Sequence, residues 1–364
     1  MNKKWILVLN PKGAVVEVDE DRWPDLEHRG YKLLSRTSES KNYLAEKKKV
    51  KFNMPINVNF PYDGYGRLGT LFSNQYEFDP DSDTIVLIGR PNPFDQGNKK
   101  VILFTMFEAD RIPPRWADYC NKAVGLIVPT VWVKEVFQKA GVTVPIEVVN
   151  LATENFRTIK PNNEEFRFLH FNSFVEGDQK GWKLVLRAFL NLFKEDSNAH
   201  LYLKGNTHRW ANDMEWLPQV RNVHYITENM QREQFELFVE NTNCFVYPSR
   251  GEGFGLPPLE MMARGVPTIL TNAHSLKTFA KHGIPIGVTK EKMPCYYIGR
   301  VWDYGIGDWV VPDFSQLERK MWDVYNNYDK YKAEAEANQS IIKKGYSLSV
   351  MFKNFEKAVE KLSK

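Results

Sequence analysis

The stretch that decides the fold spans residues 249–272 and reads SRGEGFGLPPLEMMARGVPTILTN. Together with the preceding apolar run CFVYPS, it predicts a strand, a glycine-rich loop, a helix beginning near the paired prolines, and a second strand. Glu252 lies in the loop, and we expect Glu260 in the first turn of the helix. A helix N-terminus binds phosphate, and carboxylates accept hydrogen bonds from sugar hydroxyls. The stretch therefore predicts a site for a nucleotide sugar.

Short apolar runs alternate with helix-length segments on both sides of this stretch. TIVLIG, KVILFTMF, AVGLIVP and IEVVN precede a polar linker, TENFRTIKPNNEE, and FRFLHFNSF, HLYLKG and NVHYIT follow it. This alternation predicts an α/β fold with parallel sheets that helices cover on both faces. We expect two doubly wound, Rossmann-like domains that face a cleft, with ligands at the carboxyl ends of the strands. The expected parts are a small α/β extension (1–52), an N-terminal domain (53–155), a C-terminal domain (156–340) and a C-terminal helix (341–364).

Composition excludes several classes of protein. The 364 residues are 43% hydrophobic and 26% charged, with a net charge of +4, which is ordinary for a soluble globular protein. The three cysteines, Cys120, Cys244 and Cys295, are far apart, so neither a disulfide framework nor a zinc site is expected. No apolar run approaches the roughly 20 residues of a membrane span. We therefore expect a cytoplasmic protein without a transmembrane segment.

The stretch EGFGLPPLEMMARGVP resembles the signature of family four of the retaining glycosyltransferases with a GT-B fold. This group contains glycogen-synthase-like enzymes and mannosyltransferases, and its signature is a pair of glutamates separated by seven residues. The resemblance covers roughly residues 55–350 and is strongest in the second half. It implies that the second glutamate binds the ribose of the donor, and that the first glutamate and the Gly-Phe-Gly backbone hold the donor sugar. The positions carried over are Glu260 for ribose and Glu252, Gly253, Phe254, Gly255 and Leu256 for the sugar.

A second segment, FNSFVEGDQKGWKLVLRAF, resembles the part of the family that binds the leaving group. The resemblance implies that Lys180 neutralises the diphosphate, a task that requires a fixed cation where negative charge develops. The arginine of the family is missing, because Asn172 and Ser173 stand near its place. Lys204 and Arg250 are candidates to replace it, unless Lys180 and backbone amides hold the leaving group alone. Ser173 and Lys204 are thus further candidate donor-binding residues.

The segment FTMFEADRIPPRW resembles an active-site segment of the acceptor-side domain, which is the N-terminal one. It makes Glu108 a candidate catalytic residue together with Glu252 and Lys180. Many relatives place a histidine in this domain, but the chain has none between His28 and His170. Glu108 or Asp110 is expected to fill that role.

The run PYDGYGRLG resembles the glycine loop that faces phosphate and acceptor in the same domain. Its candidate residues are Gly64, Tyr65, Gly66 and Arg67. The glycines also fit the pattern of dinucleotide-binding enzymes. No acidic residue follows at a convincing strand end, so we reject a nicotinamide enzyme.

No metal and no cofactor is expected besides the nucleotide-sugar co-substrate. The run DPDSD at residues 79–83 contains Asp-x-Asp, which metal-binding glycosyltransferases place at the exit of a strand. Here it precedes TIVLIG and is interpreted as a turn. The resemblance implies retention at the anomeric carbon, and UDP is the commonest donor nucleotide of the family.

The acceptor stays open between two classes. One class is a glycan or a lipid-linked sugar, with peripheral membrane contact through basic surface. The other is a hydroxymethylated pyrimidine in DNA, as in viral DNA glycosyltransferases, because residues 29–51 carry eight Lys or Arg against two Glu. An epimerase with the same fold and a non-catalytic sugar binder are the remaining alternatives.

Overall fold

The computed structural model describes residues 5–9, 15–19, 32–35, 47–54, 64–95, 97–161, 164–172, 178–194, 198–205, 220–228, 230, 232–295 and 306–364. The chain divides into two compact units, Met1–Ser82 and Asp83–Lys364. None of the helices in these ranges has the length and apolar character that crossing a bilayer requires. The two parallel sheets of the chain that have four and six strands both belong to the second unit.

The first unit begins with an antiparallel sheet of three strands. Its order is β2-β1-β3, and the strands are β1 (Trp5–Leu9), β2 (Val15–Asp19) and β3 (Lys32–Ser35). Two shorter strands, β4 (Lys48–Lys49) and β5 (Tyr76–Glu77), pair in parallel. The turn predicted for DPDSD is confirmed, since the backbone N–H of Asp81 donates to Oδ1 of Asp79 at 3.0 Å.

The prediction of a glycine loop in PYDGYGRLG is wrong for the residues of this run that the structure describes. Gly64, Tyr65, Gly66 and Arg67 form the beginning of helix α1 (Gly64–Gln75) instead. The helix forms because its apolar side chains recur at helical spacing and are buried, as at Leu68 and Phe72. This burial offsets the conformational cost of glycine within a helix, roughly 0.5–1 kcal/mol for each residue.

The second unit begins with a parallel sheet of four strands in the order β6-β7-β8-β9. The strands are β6 (Thr84–Ile88), β7 (Lys100–Phe104), β8 (Gly125–Val128) and β9 (Ile146–Val148). Helix α2 (Pro114–Cys120) follows β7, and helix α3 (Val131–Lys139) follows β8. Strands β7 and β8 are almost entirely buried, as expected for a parallel sheet covered on both faces.

A second parallel sheet has six strands in the order β12-β11-β10-β13-β14-β15. Its strands are β10 (Phe166–Phe171), β11 (Ala199–Lys204), β12 (Val223–Ile226), β13 (Cys244–Tyr247), β14 (Thr268–Thr271) and β15 (Ile284–Ile286). The helices between them are α4 (Trp182–Phe193), α5 (Arg232–Glu240) and α6 (Leu256–Ala263). The order changes direction at β10, so the loops after β10 and β13 leave the sheet side by side, at its switch point.

Helix α4 anchors the second sheet. Val185 and Phe189 are completely buried on one helical stripe, and Phe189 packs on Phe168 of β10. Burial of each such side chain contributes roughly 1.5–3 kcal/mol. The position of α4 fixes the loop that precedes it.

After β15, the chain forms a two-stranded hairpin and then three helices. The hairpin consists of β16 (Val288–Pro294) and β17 (Asp308–Pro312), which pair antiparallel. Helices α7 (Phe314–Asn326), α8 (Tyr328–Tyr346) and α9 (Leu348–Leu362) follow. Helix α9 packs on the four-stranded parallel sheet, where Phe355 stacks on Phe104 of β7 with ring centroids 6.0 Å apart.

Candidate active site

The loop between β13 and α6 has the predicted form. Gly255 adopts a left-handed conformation (φ 99°) directly before the helix, and a Cβ there would lie 2.3 Å from Leu276. Helix α6 begins at Leu256, with Pro257 in its first turn, where a missing N–H costs nothing. Glu260 is the fifth residue of the helix and not in the first turn as expected, because the helix begins immediately after Gly255 and the two prolines take up the first turn.

Glu252 is held by three donors on one carboxylate oxygen. Its Oε1 accepts hydrogen bonds from Nζ of Lys180 at 2.6 Å, the hydroxyl of Tyr247 at 2.8 Å and the hydroxyl of Ser249 at 2.8 Å. The side chain is buried, so these charge-assisted bonds are strong. Within the described part of the chain, Oε2 accepts no hydrogen bond. The carboxylate is thus fixed through Oε1.

The hydroxyl of Tyr247 stays protonated in this environment. Burial raises the pKa of Tyr247 well above its usual value, and the negative charge of Glu252 raises it further. A protonated phenol can only donate to the carboxylate beside it. Tyr247 therefore acts as a fixed donor to Glu252 across the accessible pH range.

Lys180 reaches Glu252 because the loops after β10 and β13 are in direct contact. Gly181, the residue before α4, has a left-handed conformation (φ 79°), and a Cβ there would lie 2.3 Å from the carbonyl oxygen of Pro248. Only glycine fits so close an approach. The ammonium of Lys180 is consequently placed over the β13–α6 loop.

Glu108 lies in the segment that follows β7, a strand of the four-stranded parallel sheet. Its Oε2 accepts a hydrogen bond of 2.6 Å from Nε2 of Gln179, which also donates to the carbonyl of Gly251 at 2.9 Å. Burial raises the pKa of Glu108, and the positive charge of Lys180 opposes this shift while Glu252 adds to it. The structure thus brings together the three candidate catalytic residues, which come from loops of both sheets.

Asp110, the alternative to Glu108, has structural partners. Its Oδ2 lies 2.9 Å from Nζ of Lys292, and its Oδ1 accepts a hydrogen bond from the backbone of Asp308 at 2.8 Å. Burial acts to raise the pKa of Asp110, but the hydrogen bonds from Lys292 and Asp308 outweigh it and lower the pKa. Between the two acidic residues, Glu108 is the one whose carboxylate lies beside Lys180 and Glu252.

The two candidate substitutes for the missing arginine have different environments. Arg250 is buried and holds the loop of Lys180, since its Nε donates to the carbonyl of Asp178 at 3.0 Å and Nη2 lies 3.4 Å from Oδ2 of Asp178. Lys204 ends β11, and its ammonium donates to the carbonyl of Glu228 at 2.9 Å. Burial lowers the pKa of Lys204, with the charge of Glu228 opposing the shift.

The other candidate residues have four different settings. Gly253 packs against the segment after β7, because a Cβ there would lie 2.9 Å from the side chain of Met106. Phe254 is a core side chain whose ring lies 5.5 Å from that of Phe279, so only its backbone can line the site. Ser173 lies outside the described residues. Gly64–Arg67 belong to the first unit and Glu108 to the second.

Several residues of the cluster were not predicted from the sequence. They are Gln179, Tyr247 and Ser249. A weak signal existed for Tyr247 and Ser249, which are polar residues at the carboxyl end of an otherwise apolar strand. Among the described residues, no group of three or more His, Cys, Asp or Glu side chains could hold a metal ion. Independence from metal remains a prediction.

A protein-family model matches the part of the chain that carries two of the three candidate catalytic residues. Residues 152–292 match the family model of the glycosyl transferases group 1. The matched segment contains Lys180, Glu252 and Glu260, whereas Glu108 lies outside it. The match therefore includes the six-stranded sheet, and the four-stranded sheet lies outside it.

Three relatives represent the sequence matches. Putative glycosyltransferase 41 of Sulfolobus islandicus filamentous virus (isolate Iceland/Hveragerdi) is 36% identical over 88 residues, 23% of this chain and 26% of that protein. Serotype-specific mannosyltransferase WbdA of Escherichia coli is 25% identical over 107 residues, 28% of this chain and 13% of that protein. Uncharacterized protein 356 of Sulfolobus islandicus rod-shaped virus 1 is 22% identical over 277 residues, 70% and 75% of the two chains. The chain thus spans a minor part of the first two relatives.

Solved structures establish the fold. TarM superposes with a TM-score of 0.60 at 15% identity, over 77% of this chain and 55% of that chain. Sucrose-phosphate synthase from Thermosynechococcus elongatus gives a TM-score of 0.59 at 13% identity, over 77% and 74%. Anabaena HepE in complex with UDP-glucose gives 0.58 at 12% identity, over 76% and 79%. The predicted α/β fold of the GT-B type is confirmed.

Proposed function

We propose that this protein is a retaining glycosyltransferase that transfers a sugar from a nucleotide-sugar donor to a hydroxyl acceptor. The observation that carries the proposal is the cluster of Lys180, Glu252 and Glu108 at the switch point of the second sheet. Two of these residues lie in the segment that matches the glycosyl transferases group 1 model. The fold supplies the cleft, and the cluster supplies the charges that sugar transfer needs.

In the proposed complex, the donor lies along the β13–α6 loop with its diphosphate at the N-terminus of α6. The backbone N–H of Leu256 and the helix dipole attract the negative charge at that point, whereas Pro257 and Pro258 have no N–H. Glu260 accepts the hydroxyls of the ribose, and Oε2 of Glu252 accepts those of the transferred sugar. Lys180 neutralises the diphosphate as it leaves.

The proposed chemistry breaks the bond between the anomeric carbon and the phosphate oxygen while the acceptor oxygen attacks from the same face. Negative charge builds on the departing diphosphate, which takes up the proton of the acceptor hydroxyl. The protein then contributes orientation and charge stabilisation more than a separate base. Glu108, whose raised pKa reflects its burial, orients the acceptor or the sugar from the opposite sheet.

A UDP-sugar is the proposed donor. Support comes from two structures that share the fold, the pneumococcal O-GlcNAc transferase GtfA in complex with UDP and GlcNAc and HepE in complex with UDP-glucose. The identities to this chain are 14% and 12%, so the nucleotide has to be measured.

The decisive experiment measures release of nucleoside diphosphate from UDP-, GDP- and ADP-sugars by the full chain. We expect release from one donor class, and we expect Glu260→Ala to raise the KM for that donor. Glu154→Ala is the matched control, because Glu154 is an exposed glutamate outside the cluster. No release and no binding with any donor would contradict the proposal and favour a non-catalytic protein. Formation of an epimerised nucleotide sugar without acceptor would favour an epimerase.

A second candidate acceptor is a hydroxymethylated pyrimidine in DNA. Two sequence relatives come from viruses, and Lys47, Lys48 and Lys49 are all exposed. Such an acceptor would have to be flipped out of the duplex into the cleft. A glycan acceptor is the competing proposal, with WbdA, a mannosyltransferase, as the relative that favours it.

Replacement of Lys47, Lys48 and Lys49 by Glu separates these acceptors. If DNA is the acceptor, we expect the variant to lose transfer to hydroxymethylated DNA and to keep hydrolysis of the donor, since phosphate contacts dominate affinity. Transfer by the parent protein should also weaken steeply with salt. Transfer to DNA that is unchanged in the variant would contradict the DNA hypothesis.

A further inference from the structure

Strand β17 lies between the two loops that carry the candidate carboxylates. On one side, the backbone N–H of Asp110 donates to the carbonyl of Asp308 at 3.3 Å. On the other side, the backbone N–H of Val310 donates to the carbonyl of Arg250 at 3.1 Å. Asp110 is two residues from Glu108, and Arg250 is two residues from Glu252. One strand thus connects the backbone on both sides of the cluster.

The residue between these two attachment points is Trp309. Its side chain is completely buried and belongs to the apolar core that covers the first sheet, together with Phe107 and Ala109. Phe107 and Ala109 flank Glu108 directly. The indole is therefore packed against the segment that positions the Glu108 carboxylate.

The same indole determines how close Gly251 can lie to Glu108. A Cβ on Gly251 would lie 2.2 Å from the carbonyl oxygen of Glu108, 2.5 Å from Cδ1 of Trp309 and 2.7 Å from its Nε1. Contacts this short do not occur, so the backbone of Gly251 touches both the Glu108 peptide and the edge of the indole. Glu252 is the next residue. The spacing of the two glutamates is consequently set where Gly251, Glu108 and Trp309 meet.

We propose that Trp309 is a positioning residue that fixes the distance between Glu108 and Glu252 without touching the substrate. The proposal rests on the proposed function and adds a residue from a hairpin that lies outside the signature loops. Ion pairing supports the placement of the hairpin, because Lys292 of β16 lies 2.9 Å from Asp110. Tight positioning matters since a displacement of about 1 Å can reduce turnover roughly 100-fold.

Trp309→Phe tests the proposal, because phenylalanine keeps an aromatic side chain in the core and removes the edge that meets Gly251. We expect kcat for nucleoside diphosphate release to fall about 10- to 100-fold. The KM for the nucleotide sugar should change little, since the diphosphate and ribose contacts are left intact. Gly251→Ala adds a methyl group at the same contact from the opposite side and should produce the same split between kcat and KM.

The matched control is Phe137→Leu, which alters a completely buried aromatic residue of the same core on helix α3. We expect it to lower the melting temperature without changing kcat at a temperature where the protein is folded. If Trp309→Phe and Gly251→Ala are folded and turn over like the parent protein, the positioning role is wrong and the proposed function stands. If both variants fail to fold, Trp309 serves the fold alone and the proposal is also wrong. If the parent protein neither binds nor turns over any donor, the proposed function fails first.

Discussion

The ammonium of Lys180 lies 2.6 Å from Oε1 of Glu252, and burial raises the pKa of Glu108 although the same ammonium opposes this rise. One cation thus faces two buried carboxylates. An unpaired buried charge is costly, and Lys180 offsets part of that cost for both carboxylates. An incoming diphosphate would bring a third acidic group to that ammonium. The charge balance around Lys180 is therefore the property that the proposed reaction depends on.

The first prediction concerns Lys180→Gln. Glutamine keeps a hydrogen-bond donor for Glu252 but removes the positive charge, and we expect kcat for nucleoside diphosphate release to fall about 100-fold or more. Steady-state kinetics on the donor identified by the release assay provide the measurement.

Lys183→Gln is the control for this prediction, because Lys183 is an exposed lysine on the first turn of helix α4, which begins directly after the loop of Lys180. We expect it to behave like the parent protein. Equal activity of the two variants would remove Lys180 from the proposed mechanism.

The second prediction concerns Tyr247→Phe, which removes one of the three donors to Oε1 of Glu252. A hydrogen bond to a charged group contributes about 1.5–3 kcal/mol, and Lys180 and Ser249 still hold the carboxylate. We expect a loss in kcat of about tenfold, which corresponds to 1.4 kcal/mol. Tyr202→Phe is the matched control, because that hydroxyl donates to Glu165 at 2.7 Å and does not contact the cluster. A larger loss in the control variant would contradict the assignment.

The part of the site that the sequence predicted comes from local geometry. Glycines, prolines and apolar runs that are close together in the chain predict the strand-loop-helix around Glu252 and the loop before α4. The carboxyl ends of parallel strands then bring these loops to one edge. The expectation that Lys180 and Glu252 share one site came from the resemblance to the GT-B glycosyltransferases, and the parallel strands explain how their loops meet.

The parts that the sequence did not predict depend on contacts between distant segments. Trp309 is an ordinary aromatic residue in its own stretch, and its position beside Gly251 follows only from the hairpin. Gly64 and Gly66 were expected in a loop, but the burial of Leu68 and Phe72 makes a helix instead. Tertiary packing overrides local propensity in this second case.

The third prediction concerns the acid limb of stability. His170 is completely buried in β10, and its Nδ1 donates to the carbonyl of Val246 at 2.7 Å. Burial lowers the pKa of His170 to about 4, a shift that the hydrogen bond to Val246 opposes and the charge of Lys180 reinforces. The unfolded chain therefore binds more protons between pH 6.5 and pH 4, and stability is lost as the pH falls through this window. The loss amounts to about 3 kcal/mol.

His170→Asn should flatten this acid limb, because asparagine can donate to Val246 but does not titrate. Urea unfolding at pH 7 and at pH 4 measures the effect. His282→Asn is the control, since His282 is only partly buried and its replacement should change the slope much less. An unchanged dependence on pH in His170→Asn would show that other groups determine the acid limb.

The last prediction concerns Glu108→Gln, which should change the stability of the protein and its turnover in opposite directions. Burial raises the pKa of Glu108 in the folded protein above its usual value of 4.5, Lys180 opposes the shift, and Glu252 adds to it. The folded state therefore binds more protons than the unfolded chain above pH 4.5, and stability falls as the pH rises through that range. Glu108→Gln removes the charge, so its melting temperature at pH 8 should exceed that of the parent protein, and the gain should vanish below about pH 4.5.

Activity should change in the opposite direction, because a carboxylate held at a cost to stability is typical of a functional site. We expect Glu108→Gln to lose turnover although it is more stable. Glu154→Gln, at an exposed position, should change neither property. If Glu108→Gln is more stable at pH 8 and fully active, the carboxylate has no part in the reaction. If it is less stable at pH 8, the hydrogen bond from Gln179 and the attraction to Lys180 outweigh the cost of burying the charge.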